Sequence, residues 1–461
     1  MSGVSSPNIY LSGSLPRLFV RTATPIIAVM GVSGLFTVVD AWFLGAYVGA
    51  EALTAVTLMF PLYMLLVALS TLVSNGFASI YARFLGGGER EQARTVHLQA
   101  MQLALVVSVA LMALFLAFGQ RLSLMAANGE AGLAALGDRY ISILVFCSPV
   151  VFVLAIATAA LRSEGLLAAL TAISLLTTLL NIGFDYLFIV RFGAGVAGSA
   201  WGTVLAQVLA LAVVGLHRRR HKHAGPAGAG FWCGANHWRT LIALGLPSSL
   251  GYIGLSLSAG LTLVCLQIWA GESYATTAGA YGIITRLMTF TFLPLLGLSM
   301  AFQTIAGNNF GARLGARTDQ ATRLAVLLAL GYCAAVELTL LLARDRIGFV
   351  FVEDPAIAAD IGRILPYAVI AMVLLGPLMM IGAYFQAIGD PGRAALLGLS
   401  RTYLFALPLT ALLPFLFGEP GIWYAGAVAE LLMLGLTVAV LSQRRISTGR
   451  AWGLFETRAG A

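Results

Sequence analysis

Long apolar runs recur along the chain, each broken by a short polar stretch. A run of about 20 residues is what a helix needs to cross the hydrocarbon core of a bilayer. The runs predict twelve spanning helices, at 17–43, 52–81, 95–118, 137–160, 166–190, 196–217, 240–269, 276–309, 322–343, 362–387, 394–416 and 421–442. The expected fold is therefore an all-α polytopic membrane protein. Hydrophobic residues make up 59% of the 461 and charged residues only 10%. A soluble globule carries roughly 25% charged residues, and no stretch long enough for a soluble domain lacks apolar runs. The first 25 residues lack the small-residue cleavage site of a secretory leader, so the first helix reads as a permanent span.

Charge adds orientation. Twenty basic residues fall in segments on one side of the predicted spans and six on the other, with Arg286 left inside the eighth. In this count Arg401 goes with Arg393 to the more basic side. The positive-inside rule then places both termini in the cytoplasm. The net charge of +8 is accounted for by these loops, so no nucleic-acid partner is expected. Cys147, Cys233, Cys265 and Cys333 are scattered without metal-ligand spacing, and neither disulfides nor structural zinc are expected.

The polar stretch 216–238 contains HRRRHKH and is the longest interhelical linker. It reads as a topology anchor beside anionic lipid rather than as a metal or nucleotide site built from His217, His221 and His223. It divides six helices from six, giving an N-terminal bundle 1–217, a basic cytoplasmic linker 218–239 and a C-terminal bundle 240–461. The halves repeat weakly. FASIYARFLGGGEREQAR (77–94) resembles FQTIAGNNFGARLGARTDQATR (302–323), LRSEG (161–165) resembles FQAIG (385–389), and Pro25 matches Pro247. Two units of six helices share one membrane orientation and are expected to be related by a pseudo-two-fold axis along the membrane normal, a plan suited to alternating access.

The candidate chemistry is a set of ionisable and polar side chains inside the spans. A charge at membrane depth costs about 2.5–3.5 kcal/mol on insertion scales and so points to function. Asp40 lies near the far end of the first helix, which also contains Pro25, a residue that removes a backbone donor and marks a hinge. Asn181 and Asp185 are four residues apart and share a face of the fifth helix. Thr203, with Ser199 a turn above it, reaches a similar depth in the sixth. Two carboxylates, an amide and a hydroxyl at one level suit a proton or sodium ion, since oxygen ligands suit hard cations. The alternative is that these groups only hold helices together. Arg286, about eleven residues into the eighth helix, is expected to face a cavity or to pair with an acid, with Asp40, Glu337 and Glu430 as candidates.

The P-x14-D pattern of the first helix and FLGAYVGAEALTAVTLMFPL (43–62) resemble the multidrug and toxic compound extrusion (MATE) family. So do FLGGGEREQAR, LRSEG and AFQTIAGNNFGA (301–312). Together they cover nearly the whole chain, in order. The resemblance implies a V-shaped pair of six-helix bundles, and a cation-coupled exporter of amphipathic, often cationic organic compounds. Within the family the chain resembles the prokaryotic DinF-like branch through Asp40, Asn181, Asp185, Thr203 and Arg286. It departs at Phe36, where some relatives carry a Tyr one turn before the acid. No Asp or Glu lies between Gly245 and Ala270, so the seventh-helix acid of the NorM-like branch is missing.

The expected protein is thus a secondary active multidrug efflux transporter, not an enzyme. Protons or sodium would load at Asp40, Asn181, Asp185 and Thr203, and Pro25, Phe36 and Arg286 would act in substrate binding or gating. No cofactor is expected. Expected partners are small organic substrates and membrane lipid, and the expected state is a monomer in a bacterial inner membrane. The alternative is a flippase for a lipid-linked precursor, which calls for a cavity lined by several cations. A lipid-acting membrane enzyme is disfavoured, because no nucleophile–base pair or metal-ligand cluster is visible.

Overall fold

The computed structural model describes residues 8–127, 129–220, 234–352 and 354–455. These residues are helical almost throughout and contain no strand, only an isolated bridge between Ala451 and Phe455. Ten helices among them are long and apolar enough to cross a membrane, or twelve when each of two bent helix pairs is counted as one span. The chain is thus an all-α polytopic membrane protein.

Two compact units are formed, one from residues 1–12 and 24–252 and the other from 13–23 and 253–461. The chain changes unit inside two helices, next to Pro25 in the first and five residues after Pro247 in the ninth. Of the expected linker 218–239, residues 221–233 lie outside the described residues, and His221, His223 and Cys233 with them.

The first unit uses α1 (Leu15–Phe43), α2 (Ala50–Leu58), α3 (Phe60–Gly86), α4 (Arg90–Ala126), α5 (Ala131–Phe146), α6 (Ser148–Ser163), α7 (Leu167–Asp185) and α8 (Gly195–Arg220). The expected span 52–81 is not one helix. It breaks at Met59, and α3 starts with Pro61 in its first turn, where a missing backbone donor costs nothing. The expected span 137–160 bends by 51° between α5 and α6, again with a proline, Pro149, opening the second piece. The core of this unit is built on Phe77, Tyr81, Ile141, Phe152 and Ile156, all nearly or fully buried.

The first half of α9 (Trp238–Trp269) joins this core through Leu241 and Leu244. Two glycines make the approach possible. A Cβ on Gly76 would run into the Leu241 carbonyl, and one on Gly245 into the Leu72 carbonyl. Near the N-terminus, Tyr10 is fully buried and its hydroxyl donates to the Arg162 carbonyl at 2.6 Å.

The second unit uses the rest of α9 with α10 (Tyr274–Gly311), α11 (Gly315–Phe351), α12 (Pro355–Val369), α13 (Met372–Ile388), α14 (Pro391–Leu399), α15 (Leu407–Leu412), α16 (Pro414–Phe417) and α17 (Pro420–Thr448). The start of α1 belongs here, with Phe19 stacked on Phe302 of α10 at 6.4 Å. The expected span 362–387 is bent by 42° between α12 and α13. At this bend the Val373 amide donates to Glu337 Oε2 at 2.7 Å, so a carboxylate from α11 caps the start of α13.

After Gly449 the chain folds back. Leu454 is buried and its carbonyl accepts the Tyr384 hydroxyl at 3.2 Å. The Arg323 guanidinium lies 4.5 Å from the Phe455 ring.

Candidate functional site

Among the described residues three stretches are π-helical: Leu44–Val48 at the end of α1, Tyr186–Arg191 at the end of α7, and Ser400–Ala406 inside the span Pro391–Phe417. A π turn carries one extra residue and rotates the side chains that follow, and such turns concentrate at functional sites. The first begins four residues after Asp40. The second begins immediately after Asp185. Both lie in the first unit, where a small apolar cluster of Phe43, Leu44 and Ile189 packs with Val39, Val56, Ile182 and Val190. That cluster holds the acid-bearing ends of α1 and α7 side by side.

The sixth span presents two adjacent faces to these ends. Gly198 and Gly202, four residues apart, share one face. A Cβ on Gly198 would lie 3.1 Å from the Phe188 Cβ, and one on Gly202 would collide with the Asp185 carboxylate. Small residues thus let α8 press against the fifth span. Ser199 and Thr203, also four apart, share the neighbouring face and carry hydroxyls. The Ser199 hydroxyl, fully buried, donates to Asp40 Oδ1 at 2.7 Å. The Asn181 amide nitrogen faces Asp185 Oδ1 at 3.3 Å, Asp185 Oδ2 at 3.4 Å and Thr203 Oγ1 at 3.4 Å.

The first contact has the length of a strong charge-assisted hydrogen bond, while the other three are long for N–H···O. Asp185 is fully buried and Asn181 nearly so, whereas Asp40 and Thr203 are half-buried. The two carboxylates lie within electrostatic reach of each other. Asn181, Asp185 and Thr203 are therefore brought together around the Asn181 amide, while Asp40 is held separately by Ser199, within electrostatic reach of Asp185.

Two phenols belong to the same neighbourhood. Tyr63 of α3 lies within electrostatic reach of Asp40, and Tyr140 of α5 within reach of both Asp40 and Asp185. The sequence reasoning missed both, as well as Gly202, because nothing in hydropathy says which face of a helix meets which neighbour. A cavity of about 110 Å³ opens beside Thr203. Its walls include the polar side chains of Tyr63, Ser70, Thr71 and Gln207, a setting polar and roomy enough for water.

The remaining expected residues fall elsewhere. Pro25 lies inside an uninterrupted α1, one residue past the change of unit. The side chain of Phe36 lies outside the described residues. Arg286 is exposed on α10 and pairs with no carboxylate among the described residues. Its three expected partners have other contacts: Asp40 takes Ser199, Glu337 takes the Val373 amide, and Glu430 takes Arg401.

Arg401 itself is a correction. It is not a loop residue of the basic side but lies ten residues past Pro391, within the span Pro391–Phe417. Among the described residues no three His, Cys, Asp or Glu side chains converge to hold a metal ion.

Comparison with known proteins covers nearly the whole chain. The MatE family model matches residues 25–187 and 247–412. A protein of Shewanella oneidensis named FAD transporter is 25% identical over 443 residues, covering 94% of this chain and 96% of its own. The mouse multidrug and toxin extrusion protein 2 is 23% identical over 442 residues, covering 92% of this chain and 73% of its own. The fold is similar to that of a MATE transporter of the MOP superfamily solved in an outward-facing conformation. That likeness has a TM-score of 0.86 and 22% identity, over 97% of this chain and 99% of that one.

Proposed function

The chain belongs to the multidrug and toxic compound extrusion (MATE) family, and from that premise we propose that it is a secondary active multidrug exporter driven by inward flow of protons. Amphipathic, often cationic organic compounds leave the cell as protons enter. Sodium at the same oxygens is the variant of this reading. The transporter works as a monomer in a bacterial inner membrane, with both termini cytoplasmic.

The observation that carries the reading is the polar contact set of the first unit. Asn181 faces both Asp185 oxygens and Thr203, while Ser199 holds Asp40. Two acids that sense each other at membrane depth cannot both stay charged cheaply. Loading an ion from outside lifts that penalty. The same loading changes what α1 and α7 find opposite them, and the long contacts of Asn181 have room to tighten. Pro25, which leaves α1 one backbone hydrogen bond short, gives the helix a place to flex. The shift lowers affinity for the exported compound, and ion release inward resets the cycle. The cavity beside Thr203 supplies a hydrated neighbourhood for the ion.

The test is uptake of a fluorescent cationic dye by proteoliposomes, under an imposed proton gradient or an imposed sodium gradient. The expected result is transport under the proton gradient, lost in Asp40→Asn and in Asp185→Asn at normal expression. Full transport by Asp40→Asn would overturn the mechanism. Sodium-only transport would keep the site and replace the ion.

A further inference from the structure

The cavity beside Thr203 lies inside the first unit, walled by α3, α5, α6 and α8. It touches both parts of the candidate ion site. Thr203 in its wall receives the Asn181 amide, which also faces Asp185. Tyr63 in its wall lies within electrostatic reach of Asp40. Away from the acids the wall continues with Ser70, Thr71 and Gln207, and no lining residue among the described ones is charged.

Gln207 marks the cavity as hydrated. Its side-chain oxygen is buried and has no hydrogen-bond partner among the described residues. A buried carbonyl left bare is rare and calls for a water or an ion. A volume of about 110 Å³ holds several waters, and the surrounding hydroxyls offer them polar partners.

The polar groups are also in line. Ser199, Thr203 and Gln207 follow at four-residue intervals on one face of α8, about 6 Å per step. Ser199 serves Asp40, Thr203 serves Asn181, and Gln207 lines the cavity. The stripe runs toward the end of α8 that carries Arg218, Arg219 and Arg220, the end that the proposed orientation puts in the cytoplasm.

We infer that this cavity is the passage by which the coupling ion leaves the two acids for the cytoplasm, with Thr71 and Gln207 as its inner polar station. A proton released by Asp185 moves onto cavity water, and the carboxylate regains its charge. A sodium ion exchanges carboxylate oxygens for water and the oxygens of Thr203, Thr71 and Gln207. Neutral oxygens hold either ion more weakly than the acids do, as release requires. The inference rests on the proposed ion coupling and adds the route of exit.

Two variants test it without touching the acids. Thr71→Leu fills the cavity with an apolar side chain, and Gln207→Leu removes the inner amide. Hydroxyl-radical labelling of the detergent-purified full chain, with no gradient, reads water beside Tyr63. The parent is expected to be labelled there, and Thr71→Leu at least fivefold less. No labelling of Tyr63 in the parent, or equal labelling in Thr71→Leu, overturns the passage whatever the transport result. Dye uptake by proteoliposomes then reads release. Both Leu variants are expected to lower the maximal rate at least fivefold, without raising the ion or dye concentration at half-maximal rate. Thr71→Ser, which keeps the hydroxyl, retains most of the rate. Parental rates in both Leu variants overturn the passage and leave the ion site standing. A raised half-saturating dye concentration at an unchanged maximal rate assigns the cavity to the exported compound and overturns the ion route. A parent that moves no dye under either gradient overturns the coupled reading, and the passage with it.

Discussion

The carboxylate of Asp185 occupies the space that a side chain on Gly202 would fill. The glycine is thus part of the candidate ion site although it contributes no polar atom. Gly202→Ala is expected to displace Asp185 from Asn181 and to cut gradient-driven export at least tenfold. Gly183→Ala, on the fifth span with nothing within 4 Å of its added Cβ, is the matched control and is expected to transport normally. Proteoliposome uptake at equal protein content distinguishes the two.

Ser199 is the only described side-chain donor to Asp40. A hydrogen bond to a charged group contributes about 1.5–3 kcal/mol, which corresponds to roughly ten- to a hundredfold in an equilibrium. Ser199→Ala is expected to change the ion concentration at half-maximal transport by about tenfold, while Ser199→Thr, which keeps the hydroxyl, changes it much less. Export rates measured across a series of imposed gradients give the comparison.

Glu337 caps α13 at the bend of the tenth span. Removing the acceptor leaves a backbone amide unsatisfied, at a cost of about 1–3 kcal/mol. Glu337→Ala is expected to lower the melting temperature in detergent by several degrees. Glu337→Gln retains an acceptor oxygen and is expected to fall between Ala and the parent.

At the end of α8 in the first unit, Arg218 meets Glu164 at 2.7 Å with each side chain only 11% exposed. Tyr81 donates to the same Glu164 oxygen at 2.5 Å. Breaking a buried pair from one side costs about 3–5 kcal/mol, whereas replacing both partners costs much less. Arg218→Ala is therefore expected to be strongly destabilising, and the double variant Arg218→Leu with Glu164→Leu to recover most of the loss. Thermal unfolding of the purified chain provides the measurement.

The twelve spans were legible because each is a long apolar run, and a sum along the chain detects such runs. The breaks were not. Met59, Cys147 and the Ile370–Ala371 step lie inside continuous apolar sequence, and only the nearby Pro61 and Pro149 hinted at the first two. Asp40, Asn181, Asp185 and Thr203 stood out because polar groups at membrane depth are rare. Tyr63 and Tyr140 did not, since a tyrosine in an apolar run is commonplace until its neighbours are known. Gly202 acts through the room it leaves, which has no signature in composition. Arg401 was assigned to the basic side because it follows Arg393 closely. Its side chain is held at depth by Glu430, a residue 29 positions further on, and no local count registers such a partner.

The return of the chain after Gly449 changes which residues cover the end of α17. That end is not bare, because Leu454 is packed beneath Tyr384 and Phe455 beneath Arg323. A reporter protein or affinity handle joined directly after Gly449 would strip that cover from Tyr384 and Arg323. The same handle joined beyond Phe455 leaves the cover seated. The choice of junction therefore decides whether a labelled form reports on the native transporter or on one with its carboxyl-terminal seal removed.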